Sequence, residues 1–262
     1  MLKKRLIGVV TVKDGWAVQS FGYRRYLPLG KPQWLVENLD RWGADEILVQ
    51  CIDRSARQGG PDFDLLQTLA GMGLGTPLIY GGGIASVEDG VRVIQTGADR
   101  IAVDALLHDA PGVVQELGQH LGVQALVAAV PLRMQGDAAL WHDYRARRDI
   151  PIQSLQRILE RGLASELLVI DREHEGQADG FDVRVLDALL DVLPDSSMPL
   201  LAFGGISEAS MMQELLVKPR LAGVCVGNFL SYRELAIQQF KKALSSPELR
   251  PPHFAADYPD HA

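Results

Sequence analysis

The chain has 262 residues, of which 47% are hydrophobic and 23% charged, and its formal net charge is −7. Such a composition excludes a disordered or fibrous chain, and the acidic balance argues against nucleic acid, whose phosphates want a basic face. No apolar run reaches the roughly 18 residues of a membrane helix, so no membrane insertion is expected. At the start, Lys3-Lys4-Arg5 leads into an apolar run that ends at Lys13-Asp14 with no cleavage site, which argues against a secretory signal. Cys51 and Cys225 both fall in apolar runs and read as buried thiols rather than a disulfide. A cytoplasmic location is the expectation.

Eight mostly apolar runs predict strands buried on both faces: Leu6–Val12, Glu46–Ile52, Leu78–Tyr80, Arg100–Val103, Ala125–Val130, Glu166–Ile170, Leu200–Ala202 and Gly223–Val226. Amphipathic stretches fill the gaps, among them Pro32–Trp42, Phe63–Met72, Val87–Thr96, Pro151–Arg161 and Val183–Leu193, several ending at a glycine such as Gly43, Gly97 or Gly162. The alternation is that of βαβ units on a parallel sheet. Gln19–Lys31 and Arg133–Asp149 are long connections rich in aromatics and arginines, and read as lids or binding loops.

The two halves repeat. Pro77-Leu78-Ile79-Tyr80-Gly81-Gly82-Gly83-Ile84 returns as Pro199-Leu200-Leu201-Ala202-Phe203-Gly204-Gly205-Ile206, an offset of 122 (199 − 77), and Glu46 returns as Glu166, an offset of 120 (166 − 46). The length is close to the roughly 250 residues of a (β/α)8 barrel. The expected fold is therefore an α/β (β/α)8 TIM barrel built from two half-barrel repeats. It forms a single domain over 1–262, with half-barrels at about 1–120 and 121–245 and a tail at 246–262.

Chemistry in such a barrel sits at the carboxyl ends of the strands. Gly82-Gly83 and Gly204-Gly205 each precede a helix start, where bare N–H groups hold anions, so a phosphorylated small-molecule ligand is expected. After the sixth run, Glu173 and His174 in Asp171-Arg172-Glu173-His174-Glu175-Gly176 are candidates for acid–base work, with a solvated polar loop as the alternative. His174 has no second histidine at ligand spacing, so neither a metal site nor a cofactor is expected. At the opposite end, Arg5, Glu46, Arg100 and Glu166 all start strands and predict a ring of salt bridges across the barrel bottom, a structural plug on physical grounds alone.

These residues resemble the cyclase subunit of imidazole glycerol phosphate synthase over nearly the whole chain. The resemblance rests on Lys4-Arg5, Val12-Lys13-Asp14-Gly15, Gly43-Ala44-Asp45-Glu46, Gly81-Gly82-Gly83-Ile84, Gly97-Ala98-Asp99, Asp179-Gly180-Phe181-Asp182 and Gly204-Gly205. It implies that a separate glutaminase docks on the ring face, with Asp99 as a contact, and that Arg5, Glu46, Arg100 and Glu166 gate ammonia into the barrel, Arg100 standing where the family has lysine. It also implies that Gly82, Gly83, Gly176, Gly204, Gly205, Gly227 and Asn228 occupy phosphate-binding positions. The two catalytic aspartates of the family are replaced by Thr11 and Pro131, which offer no titratable group. Gln19, Cys51, Asp104-Ala105 and Gly227-Asn228 also depart from the pattern, while Glu173 stands for an aspartate. With the entrance kept and the chemistry lost, the resemblance implies an ammonia-channelling subunit of a glutamine amidotransferase. That branch serves surface polysaccharide, where a third protein amidates a nucleotide-linked sugar; Tyr80 and Ile52-Asp53-Arg54-Ser55 resemble it. A histidine-pathway cyclase with an altered site and a non-catalytic glutaminase scaffold are the alternatives.

Overall fold

A computed structural model describes residues 3–57, 59–159, 161–178, 180–193, 197–218, 220–244 and 249–251; Asp179 of the resemblance and most of the expected tail lie outside them. The strands in chain order are β1 (Arg5–Lys13), β2 (Trp16–Phe21), β3 (Arg25–Gly30), β4 (Glu46–Cys51), β5 (Leu78–Gly81), β6 (Arg100–Val103), β7 (Leu126–Gln135), β8 (Ala138–Asp143), β9 (Arg148–Pro151), β10 (Glu166–Asp171), β11 (Leu200–Phe203) and β12 (Leu221–Val226). Eight of them pair in parallel in the order β1, β4, β5, β6, β7, β10, β11, β12 and back to β1, which closes the barrel. A helix follows each barrel strand, including Pro32–Arg41, Phe63–Ala70 and Val87–Thr96 in the first half and Gln153–Leu159 and Arg184–Val192 in the second.

Side chains alternate across each strand, and this sorts the apolar residues into two clusters. The outer one, with Leu6, Ile47, Val49 and Cys51, packs against the helices. The inner one fills the bore with Ile7, Val9, Leu48, Ile79, Ala102, Val127, Ala129, Leu168, Ile170, Leu201, Phe203 and Cys225. Both cysteines are buried and free, one on each face of the wall; burial pushes the Cys51 thiol up to about 12. Local signals agree with the global fold. Ser86 and Asp89 form a reciprocal capping box at the start of Val87–Thr96, and Gly97 ends that helix with φ +136°.

The two long connections are not irregular lids. Gln19–Lys31 supplies the β2–β3 hairpin and Arg133–Asp149 the β7–β8–β9 meander, each antiparallel and each attached to the first strand of its half. Positive φ at Gly22 (61°) and Tyr23 (54°), and at Gly136 (61°), makes the tight reversals that join these strands.

Candidate functional site

At the amino-terminal end the four strand-initial charges meet. Arg5 Nη1 donates to Glu46 Oε1 at 2.7 Å, Arg5 Nη2 donates to Glu166 Oε1, and Arg100 Nη1 donates to Glu166 Oε2 at 2.6 Å. The fourth corner is looser: Arg100 Nη1 lies 3.7 Å from Glu46 Oε2, which has no hydrogen-bond partner among the described residues. All four side chains are 8–14% exposed. Burial works against the Arg5 charge, but Glu46 and Glu166 more than offset it and hold its pKa above the ordinary value. Arg100 is further pinned, its Nε donating to the Gln124 carbonyl at 3.1 Å and its Nη2 to Ser165 Oγ at 3.0 Å. Asp99, exposed beside the ring, accepts the Leu78 N–H at 2.8 Å and so caps the first residue of β5. Asp45 of the other Gly-Ala-Asp accepts the N–H of Leu6, the second residue of β1, at 2.7 Å.

At the carboxyl end a pocket is lined by Gly176, Gly204, Gly205, Gly227 and Asn228, with Thr11, Phe203 and Cys225 on its bore side. The glycines are also demanded by packing. A side chain at Gly204 would strike the Asp171 carbonyl, one at Gly205 the His174 Cβ, and one at Gly176 the Ser20 carbonyl. Gly82 and Gly83 lie equally close to the backbones of Cys51 and Gly60, and the Gly83 N–H donates to Ser55 Oγ at 3.2 Å. Asn228 is a strut: its Nδ2 donates to the carbonyls of Ser20 (2.6 Å) and Gly176 (3.3 Å), and its Oδ1 accepts the Ser20 N–H (3.1 Å).

Thr11 is buried with 6% exposure, and Pro131 is buried beside Ile170 of β10, so neither catalytic position of the resemblance carries a titratable group. Of the candidates after β10, Glu173 is exposed, whereas His174 Nδ1 stands 2.7 Å from Asp171 Oδ2. Asp171 is buried and also accepts the Asp182 N–H at 2.7 Å, which orients the carboxylate toward the imidazole. Sequence reasoning named the stretch that holds Asp171 and the buried Glu175 but put its weight on Glu173 and His174. Glu175 accepts from the Ser20 hydroxyl (3.0 Å) and the Tyr23 N–H (3.1 Å), fastening the β2–β3 hairpin over the mouth. Burial raises its carboxyl above the ordinary value, although those donors pull it back.

The two hairpins meet above the bore. The Tyr23 and Tyr144 rings pack edge to face at 5.6 Å, Tyr23 lies against the apolar bore cluster, and its hydroxyl donates to Gln50 Oε1 at 3.3 Å. Farther out, His108, Asp109 and Asp143 converge with ligand atoms within 4.8 Å of one another. These carboxylates are already engaged, Asp109 by Arg145 at 2.8 Å and Asp143 by the Arg145 and Ala146 amides at 3.0 Å. No helix among the described residues is long and apolar enough to cross a membrane.

Comparison with known proteins agrees with this geometry. The family model described as histidine biosynthesis protein matches residues 5–236. The imidazole glycerol phosphate synthase subunit HisF of Streptococcus gordonii is 29% identical over 253 residues, covering 95% of this chain and 98% of the relative. HisF of Streptococcus mutans serotype c is 29% identical, with 93% of this chain and 97% of the relative covered. HisF of Exiguobacterium sibiricum is 30% identical, with 82% and 85% covered.

Proposed function

The chain belongs to the family of histidine biosynthesis proteins, and from that premise we propose that it is a HisF-like barrel that conducts ammonia without closing an imidazole ring. A glutaminase docks on the ring face around Asp99. Ammonia enters past the loose Glu46–Arg100 corner, crosses the apolar bore as the neutral molecule, since a bare ammonium there would carry a heavy desolvation cost, and leaves at the mouth. There a third protein uses it to amidate a nucleotide-linked sugar in surface-polysaccharide synthesis. A phosphate group of the ligand sits in the pocket of Gly176, Gly204 and Gly205.

One observation carries the reading: a buried charged ring with one loose corner opens onto an apolar bore whose far end has no titratable group at positions 11 and 131. The test is to co-purify the barrel with a candidate glutaminase subunit and to measure aminated product per glutamine hydrolysed, with and without the third protein. Glutamine hydrolysis with no transfer in any combination would leave a scaffold instead.

A second reading, a histidine-pathway cyclase working through different residues, is favoured by the Asp171–His174 pair, which has the geometry of an oriented general base. Purified barrel given ammonia and the histidine-pathway substrate separates the two. No cyclase turnover above background is expected, because acid–base groups contribute about 10²- to 10⁴-fold each. Turnover near that of ordinary cyclases would overturn the ammonia-delivery reading.

A further inference from the structure

Strand alternation that places the ring at the bottom of the bore also fixes what stands at its top. On β4 the inward series runs Glu46, Leu48, Gln50; on β6 it runs Arg100, Ala102 and continues to Asp104; on β10 it runs Glu166, Leu168, Ile170 and continues to Arg172. Gln50, Asp104 and Arg172 thus project into the mouth, four to six residues above the ring, or roughly 13–20 Å along the strands at about 3.3 Å per residue. Tyr23 and Tyr144 close over them. The two tyrosines stand 121 residues apart (144 − 23), the spacing of the repeat, and come from hairpins at equivalent places in the two halves.

Tyr23 helps anchor its hairpin through its N–H on Glu175 and its hydroxyl on Gln50, but that anchoring leaves other polar atoms of the cluster unused. The Tyr144 hydroxyl and the Arg172 Nε are buried with no hydrogen-bond partner among the described residues, and buried polar groups are rarely left so without a ligand or water to satisfy them. Burial raises both tyrosine hydroxyls well above their ordinary pKa, and the nearby charges of Asp104 and Glu175 raise them further. Burial likewise raises Asp104. The charges felt at the two tyrosines are mostly negative, Asp104 and Glu175 against Arg172, while Arg145 and His108 also act on Asp104 from its outer side. What the cluster offers is acceptors, namely the Asp104 carboxylate, the Gln50 carbonyl with its second lone pair, and the tyrosine oxygens.

We propose that Asp104, Gln50, Tyr23 and Tyr144 form a subsite for ammonia or a small primary amine at the exit of the bore. It lies where the resemblance has a phosphate-binding pair and this chain has Asp104-Ala105. The proposal rests on the ammonia-delivery reading and specifies where the cargo waits before transfer. Its N–H groups donate to Asp104 and Gln50, and the Tyr144 hydroxyl gains the partner it lacks. The tyrosine pair, packed edge to face, covers the subsite against bulk water.

The test uses the whole purified barrel carrying ¹³C-labelled tyrosine, titrated with methylammonium chloride against sodium chloride at equal ionic strength. Tyr23 and Tyr144 signals are identified with Tyr23→Phe and Tyr144→Phe. Methylammonium is expected to shift both signals saturably, tetramethylammonium, which has no N–H, to leave them in place, and inorganic phosphate to do the same. Asp104→Asn, which keeps the shape and the bond from the Ala105 amide, is expected to weaken methylammonium binding by about tenfold or more, the worth of one charge-assisted hydrogen bond. Tyr144→Phe is expected to weaken it less. Phosphate shifting these signals, Asp104→Asn binding methylammonium as well as wild type, or no saturable shift would each overturn the subsite. Ammonia transfer from the glutaminase is measured separately. Transfer without methylammonium binding removes the subsite and leaves delivery standing, whereas binding without transfer does the reverse.

Discussion

Glu166→Ala removes the carboxylate on which both arginines of the ring converge. Glu166 takes Arg5 on one oxygen and Arg100 on the other, the latter at 2.6 Å, and its side chain is 11% exposed. Without it Arg5 keeps Glu46 at 2.7 Å, and the one carboxylate left to Arg100 is Glu46 at 3.7 Å. A buried pair broken on one side costs about 3–5 kcal/mol, because a charge is left unpaired. For a domain of this size that is a fall of roughly 6–20 °C in Tm at about 2–4 °C per kcal/mol. Arg100→Lys is the milder companion. It keeps the charge but loses the bonds to the Gln124 carbonyl and Ser165 Oγ, a cost of about 1–2 kcal/mol at roughly 1 kcal/mol per hydrogen bond. Each variant is melted, and each is assayed together with the candidate glutaminase for product formed per glutamine hydrolysed. If the ring gates ammonia, this ratio falls in both variants, and in Arg100→Lys it falls with a Tm loss of only roughly 2–8 °C at about 2–4 °C per kcal/mol. A ratio unchanged in both while Glu166→Ala melts lower would refute gating and leave a structural plug.

Asp99→Ala is expected to weaken glutaminase binding in calorimetry or gel filtration, whereas Glu173→Ala at the far end is not; equal loss from both would contradict the two-face arrangement. Glu175→Gln tests the buried carboxylate under the β2–β3 hairpin. Burial raises its pKa in the folded state, so the folded chain holds more protons than the unfolded one between the ordinary carboxyl value and the raised one, and stability falls as pH rises through that window. Each unit of that rise is worth about 1.4 kcal/mol. The Tm of Glu175→Gln relative to wild type should therefore be more favourable at pH 8 than at pH 4, and a difference independent of pH would refute the burial argument.

The barrel was legible because its strands are apolar on both faces. Leu6–Val12 was expected and Arg5–Lys13 is found, and Val87–Thr96 is found unchanged, its Ser86 and Gly97 being unambiguous stops. The ring was legible because Arg5, Glu46, Arg100 and Glu166 each begin a strand, where register alone sends them to one end. The hairpins were not, because Gln19–Lys31 lacks clean alternation: Pro28 interrupts β3, and the pairing slips between Ala17 and Val18. Hidden with them was the mouth, since Tyr23 and Tyr144 reach it only once the hairpins fold. Gln50 could have been found by counting inward positions from Glu46, and Asp104 by counting from Arg100. Burial after β10 was not legible either: in the bend there Asp171 and Glu175 are buried, while Glu173 is exposed.

The two ends of the barrel do not weigh equally as guides to function. Gly82, Gly83, Gly176, Gly204 and Gly205 all have positive φ and all sit where a Cβ would strike a neighbouring chain segment. The fold needs them whether or not a phosphate ever binds, so their presence says little about the ligand. The ring has no such excuse. A buried charged cluster can often be replaced by well-packed apolar residues at no loss of stability, or at a gain, and the layer directly above it is already apolar with Ile7, Leu48, Ala102 and Leu168. Packing alone would extend that layer downward. Two arginines and two glutamates at the opening of an otherwise apolar bore, one corner left at 3.7 Å with a carboxylate oxygen that accepts no hydrogen bond among the described residues, are what the proposed passage of ammonia accounts for and packing alone does not.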